Sequence, residues 1–204
     1  MIRVALTGGV ASGKSTALKI LSELNCNTIS SDKIVKELMQ NDEMLKSRIK
    51  IAFNCVDDNG NINCEKLSKI IFNNQEAKQK LEDLIHPLVK NVRKKFFQRC
   101  EKQNNIFSIC ETPLLFEKDL LSEFDYSILI TASLDTRIDR YIDSGKGDQD
   151  KFFQITKNQM LDGEKIVKAD FVIKNNGTKE QLKEKLQQTL HEILKLHKSR
   201  CENL

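Results

Sequence analysis

Residues 8–16, Gly8-Gly9-Val10-Ala11-Ser12-Gly13-Lys14-Ser15-Thr16, constrain this chain more than any other stretch. They fit G-x-x-x-x-G-K-[ST], a phosphate-binding loop. Gly8, Gly9 and Gly13 allow backbone conformations that a Cβ would forbid, so successive N–H groups can converge on one anion. Lys14 adds a mobile positive charge for outer phosphates. The Ser15 hydroxyl suits magnesium, which takes oxygen ligands and keeps several waters. Ile2-Arg3-Val4-Ala5-Leu6-Thr7 reads as a short buried strand, and the stretch from Lys14 as a helix. That order sets the phosphates at a helix N-terminus, where free N–H groups and the dipole favour negative charge. A nucleoside triphosphate and magnesium are the expected ligands.

The 204 residues leave room for one substantial α/β domain with insertions. A net charge of +4 suits anionic small molecules and lacks the concentrated basic field of a nucleic-acid binder. No apolar run approaches membrane-spanning length, and the first strand begins where a signal peptide would stand. The expectation is a cytoplasmic protein that binds neither nucleic acid nor membrane. Cys26, Cys55, Cys64, Cys100, Cys110 and Cys201 form no C-x-x-C pair and no zinc-like spacing. Cys55, Cys64 and His86 make a poor metal cluster, and reduced thiols are the better reading.

Along the chain, Ala17, Leu18, Leu21 and Leu24 give the first helix one apolar face. Asn27-Thr28-Ile29-Ser30 reads as a second, parallel strand that delivers Ser31 and Asp32 to its carboxyl end. Ligands bind outside the carboxyl ends of such sheets, so Asp32 is expected on the edge that carries the phosphate loop. A helical insertion follows, with Ile34, Val35 and Leu38 on one stretch and Leu45, Ile49 and Phe53 on another. The polar turn at residues 57–61 fails as a calcium loop, because Gly60 comes too early and Ser68 replaces the required Glu. No N-K-x-D guanine signature occurs. From Gln75, apolar residues from Leu81 to Phe96 keep helical spacing, with Pro87 kinking or dividing the helix. Lys90, Arg93, Lys94, Lys95 and Arg99 read as a solvated face. Strands resume at residues 106–110, 126–131 and 171–173. A helix from Ser133 carries Arg137 and Arg140 into a polar stretch at 144–148, expected to be a mobile loop, and another runs to about Leu161. The last helix places Leu182, Leu186, Leu190 and Leu194, with Ile193, on a core stripe.

The strand ends define the chemistry. The first gives the phosphate loop, the second Asp32, the third Glu111 and the fifth Asn175-Asn176-Gly177. A carboxylate beside a phosphate site can orient a hydroxyl nucleophile and accept its proton. Asp32 also fits a helix N-cap. Glu111 fits a water-mediated magnesium contact and a turn cap equally well. Arg140 suits the spread negative charge of a phosphoryl-transfer transition state, or a surface pair with Asp139 or Asp143. Together these residues imply phosphate transfer to a small hydroxyl-bearing acceptor held by the helical insertion. A nucleotide-dependent switch is the non-enzyme alternative, opposed by the missing guanine-recognition and switch motifs.

These residues resemble the dephospho-CoA kinase family, within the nucleoside-monophosphate-kinase-like group, over nearly the whole chain. The resemblance rests on Leu6 to Thr16, Ser31-Asp32, Gly60, Leu67, Phe72 and His86-Pro87. It continues through Pro113-Leu114-Leu115-Phe116-Glu117, Gln159-Met160, Lys165 and Ala169-Asp170-Phe171-Val172-Ile173 to Asn175-Asn176-Gly177. It implies a P-loop NTPase fold with a five-stranded parallel sheet flanked by helices: a core of residues 1–32, 104–139 and 162–204, a helical acceptor-binding insertion at 33–103 and a lid at 140–161. The implied reaction moves the γ-phosphate of ATP, with Mg2+, to the ribose 3′-hydroxyl of dephospho-CoA, the last step of coenzyme A synthesis. A related P-loop kinase for another hydroxyl or nucleotide acceptor is the alternative. The implied roles are Asp32 as base, Lys14 and Arg140 as charge stabilisers, Ser15 as magnesium ligand and Asn175 beside adenine. His86, Leu114 and Glu117 are implied near the acceptor. A monomer or weak homo-oligomer is expected. The chain departs from the family pattern at Ser30-Ser31-Asp32, where Asp-Ala-Asp is usual, and at Cys64, Ser144 and Ile155, where arginines are usual. Lys146 and Lys151 are the candidate replacements at the lid.

Overall fold

Strands with every residue shielded belong in the middle of a sheet, and those with one open face at its edge. That rule orders this structure. The computed structural model describes residues 1–57, 61–72, 74–103, 105–157 and 159–202. Asp58, Asn59 and Gly60 of the expected polar turn lie outside the described residues. In chain order the elements are β1 (Ile2–Gly8), α1 (Lys14–Glu23), β2 (Asn27–Ser30), α2 (Ser31–Asn41), α3 (Glu43–Phe53), α4 (Cys64–Phe72) and α5 (Gln75–Lys102), followed by β3 (Phe107–Glu111), β4 (Tyr126–Thr131), α6 (Leu134–Asp143), α7 (Gln149–Thr156), α8 (Asp162–Lys168), β5 (Phe171–Lys174) and α9 (Lys179–Glu202).

Two compact units arise, Met1–Ile29 with Arg99–Leu204, and Ser30–Gln98. The first holds a five-stranded sheet in the order β2-β3-β1-β4-β5. β1 pairs in parallel with β3 and β4, and β4 with β5. The fully buried β4 lies inside, while β2 and β5, only partly buried, form the edges. The expected βαβ unit of β1, α1 and β2 therefore spans an intervening strand, β3. The chain moves to one side of β1 and later crosses to the other, which makes the crevice at the end of β1 a topological switch point.

Alternation along β1 divides the core. Val4 and Leu6 pack with Ala17, Ile20 and Leu21 of α1 and with Leu182, Leu186 and Ile193 of α9. Ala5 faces the other layer, against Leu115 and Phe116. In α9, Leu194 is only partly buried, and Ile193 takes the core position at that level. Each step of four residues overshoots a helical turn by about 40°, so a strict fourfold repeat drifts off its face.

The second unit is helical. Asp42 caps α3 by accepting from the Leu45 N–H at 2.9 Å, and Asn74 caps α5 by accepting from the Ala77 N–H at 3.0 Å. Ile34, Leu45, Ile49, Phe53, Leu67, Leu81, Ile85 and Val89 are buried. Pro87 does not divide α5, which runs unbroken past it. Arg93, expected on the solvated face, is 3% exposed. Two helices have no counterpart in the sequence reading: α4, and α8, which begins beyond the actual end of α7 at Thr156. Both are shorter than the window over which helical periodicity can be read.

Candidate active site

The phosphate loop joins β1 to α1 as expected, and its shape is held from two sides. Lys14 Nζ donates to the Gly9 carbonyl at 2.8 Å, folding the side chain back over the loop. Gly13 has φ +100° at the N-cap of α1, and a Cβ there would stand 2.2 Å from Asn175 Nδ2. Glycine is therefore required at that position by both backbone and space. Ser15 and Thr16 are exposed in the first turn of α1, where backbone N–H groups have no intrahelical acceptor.

Ala11 takes φ +57°, the left-handed conformation that costs a side-chain-bearing residue about 1–2 kcal/mol. Ala11→Gly is thus expected to raise stability, by roughly 0.5 kcal/mol after the added freedom of the unfolded chain is counted. A shift of the urea midpoint at unchanged slope measures it, and a lower midpoint would contradict it.

One flank is held from the end of β5. Asn175 is buried, and its Nδ2 donates to the Ser12 carbonyl at 2.9 Å. Its backbone N–H donates to the Thr131 carbonyl at 2.7 Å, and its carbonyl accepts from Arg140 Nη1 at 2.9 Å. Arg140 thus reaches the loop's support instead of pairing with Asp139 or Asp143. The other flank is held at Val10. Its carbonyl accepts from Arg137 Nε at 2.8 Å, and its N–H donates to Gln159 Oε1 at 3.3 Å.

A buried ion pair lies behind this second flank. Lys165 Nζ is 2.9 Å from Glu117 Oε1, with the lysine side chain fully buried. Glu117 also accepts from the Met160 N–H at 2.9 Å. Burial pushes the Glu117 carboxyl up, but Lys165 and the backbone N–H groups outweigh it and hold the carboxyl below its ordinary value. Glu117 is therefore engaged with α8, and Leu114 is half-buried in the same turn. Glu111 ends β3, buried and in register with Leu6 of β1.

Asp32 and His86 belong to the Ser30–Gln98 unit. Asp32 is exposed in the first turn of α2, and the N-cap position falls to Ser30, not to Asp32. His86 is exposed on α5. Ser144 ends α6, its hydroxyl donating to the Tyr141 carbonyl at 2.7 Å. The supporting roles of Arg137 and Asp162 were not legible in the sequence. The only signal was that Arg137 stands three residues before Arg140, on the same helical face.

A parallel sheet with this loop at its switch point, backed by arginines from α6, defines a P-loop phosphotransferase. At the level of fold, the chain is similar to the solved shikimate kinase from Acinetobacter baumannii, with 11% identity, a TM-score of 0.55 and coverage of 96% of this chain and 94% of that one. The dephospho-CoA kinase family model matches residues 2–181. A curated dephospho-CoA kinase from Fusobacterium nucleatum subsp. nucleatum is 35% identical over 185 residues, 90% of this chain and 94% of that protein. The solved dephospho-CoA kinase from Campylobacter jejuni is 30% identical, with a TM-score of 0.69 and coverage of 96% and 98%. The chain belongs to the dephospho-CoA kinase family.

Proposed function

We propose that this chain transfers the γ-phosphate of ATP from the loop at residues 8–16 to the ribose 3′-hydroxyl of dephospho-CoA, with Asp32 as the base. The observation that carries the reading is a phosphate loop braced at Val10 and at Ser12 in a chain of this family. Such bracing lets the loop N–H groups meet the developing charge without reorganising. Asp32 accepts the proton as the acceptor oxygen attacks. Lys14 and Arg140 offset charge on the phosphoryl oxygens, Arg140 from a site fixed on the Asn175 carbonyl. His86 and Leu114 lie towards the acceptor. Glu117 serves that side indirectly, through Lys165 and Met160.

The Ser15 hydroxyl, exposed at the second position of α1, fits magnesium that arrives with ATP and keeps most of its waters. Among the described residues no group of three or more His, Cys, Asp or Glu forms a metal cage. When bound, magnesium neutralises charge on the transferring group. Residues 33–103 act as the acceptor-binding part and residues 140–161 as the lid. Among the described residues no helix is long and apolar enough to cross a membrane.

A coupled ADP-release assay comparing dephospho-CoA with shikimate and nucleoside monophosphates tests the acceptor. Turnover confined to dephospho-CoA is expected, and equal or faster turnover with another acceptor would overturn the assignment. The lid makes a separate prediction. The family resemblance implies an arginine where this chain has Ser144, and a guanidinium there supplies a planar donor that Lys146 cannot. Ser144→Arg is expected to lower the KM for ATP by about threefold, the scale of an exposed ionic contact. An unchanged KM would remove the lid from nucleotide binding.

A further inference from the structure

Arg137 is a buried cation that the reaction as described does not use. Its side chain is 7% exposed, and Nε, Nη1 and one face of its guanidinium each have a separate partner. Nε donates to the Val10 carbonyl at 2.8 Å, and Nη1 donates to Asp162 Oδ2 at 2.5 Å. One face of the group lies 5.4 Å from the centre of the Phe152 ring in α7. Nη2 lies 2.5 Å from where a Cβ on Gly9 would stand, so glycine at that position makes room for it.

This arrangement is directional. A charge needed only for its field would not require its fork to bridge a loop carbonyl and a carboxylate, and Asp162 offsets much of that field. Asp162 opens α8, where the helix dipole also favours its charge. Gln159, three residues earlier, takes the N–H of the same Val10. The peptide groups on both sides of Val10 are therefore oriented by Arg137 of α6, itself held by Asp162, and by Gln159 from the segment that follows α7. Ala11, Ser12 and Gly13, whose N–H groups face a bound phosphate in this motif, come directly after.

We propose that Arg137, held by Asp162, is a positioning residue for nucleotide binding, and that with Gln159 it sets the orientation of Val10 and so of the phosphate-facing amides. The proposal rests on residues 8–16 being the ATP site. It ties ATP affinity to the 159–162 segment and to Phe152 of α7, and assigns Arg137 no contact with the phosphates.

The test measures KM for ATP and for dephospho-CoA, kcat and thermal stability in Arg137→Lys, Arg137→Gln, Asp162→Asn and Gln159→Leu. Lysine keeps the charge but cannot bridge Val10 and Asp162 with a planar fork. Arg137→Lys and Arg137→Gln are therefore expected to raise the KM for ATP alike, by roughly tenfold, the scale of one charge-assisted hydrogen bond. The KM for dephospho-CoA should stay within about twofold, because an effect confined to one loop is uniform-binding loss for one substrate only. Asp162→Asn should fall between wild type and these variants. Full rescue by lysine would overturn the proposal in favour of a charge effect, and equal rises in both KM values would overturn it in favour of general loosening. If the Arg137 variants fail to fold, Gln159→Leu decides: a raised KM for ATP alone supports the proposal, and an unchanged one overturns it. Lys14→Met serves as the control for the site itself. An unchanged KM for ATP in that variant would refute the loop as the ATP site, a result separate from any outcome at Arg137.

Discussion

Replacing Asp32 by asparagine is expected to slow phosphate transfer by about 10²-fold or more, with the KM for ATP unchanged. Asparagine keeps the size and one hydrogen-bonding oxygen and loses the negative charge and with it the capacity to take a proton, so the loss reports the carboxylate's part in the chemistry. The local sequence makes the experiment clean. Ser30 and Ser31 precede Asp32 and Lys33 follows it, so no adjacent acid in the chain is present to take over. Asp32 is exposed in the first turn of α2, and the N-cap position belongs to Ser30, so loss of its charge should leave the helix nearly as stable. The anchors of the phosphate loop are Arg137, Gln159 and Asn175, none of which depends on Asp32. Single-turnover rates at saturating ATP and dephospho-CoA measure the effect. A variant within about threefold of wild type would remove Asp32 from the chemistry and leave positioning as the main source of the rate.

What could be read in the sequence was what depends on neighbours in the chain. The phosphate loop was legible because its glycines, lysine and hydroxyl act within nine residues and lie between a strand and a helix. The strands were legible as short apolar runs. Their order was not, because only the relative burial of β2 and β5 against β4 shows which lie at the edge. The braces of the loop were hidden for a related reason. Arg137 finds its partners at Val10 and Asp162, and Asn175 finds its own at Ser12, contacts over 127, 25 and 163 residues of chain. Nothing in a polar helix such as α6 distinguishes an arginine turned inward from one turned to water. Arg93 on α5 makes the same point, since a run rich in lysine and arginine reads as a solvated face until one member is found buried. Glu117 shows the converse. Its place in the Pro-Leu-Leu-Phe-Glu run was evident, but its partner, Lys165, lies on a helix too short to announce itself.

That pair carries the largest expected loss of stability. Lys165→Met fills similar volume with an apolar chain and leaves the Glu117 carboxylate without its cation, which should cost about 3–5 kcal/mol. Adding Glu117→Gln should recover most of the loss, because a buried pair removed together leaves no uncompensated charge. The pH dependence has a definite sign in each protein. In the wild type the Glu117 carboxyl lies below its ordinary value, so its contribution is complete above the unfolded carboxyl's pKa and is lost as pH falls through the lowered folded value. In Lys165→Met, only the backbone N–H groups still oppose burial, so the folded carboxyl rises from its wild-type value. The stability difference from wild type should then be largest at neutral pH and narrow as the pH drops through the carboxyl range. Urea unfolding at pH 7.5 and pH 5 separates the two behaviours, and a stability difference that does not narrow at the lower pH would show that the pair contributes packing and not charge. Because Glu117 also accepts from the Met160 N–H, beside the Gln159 that holds Val10, Lys165→Met should raise the KM for ATP as well. A variant that lost stability but kept its ATP affinity would confine the ion pair to folding and separate it from the brace on the phosphate loop.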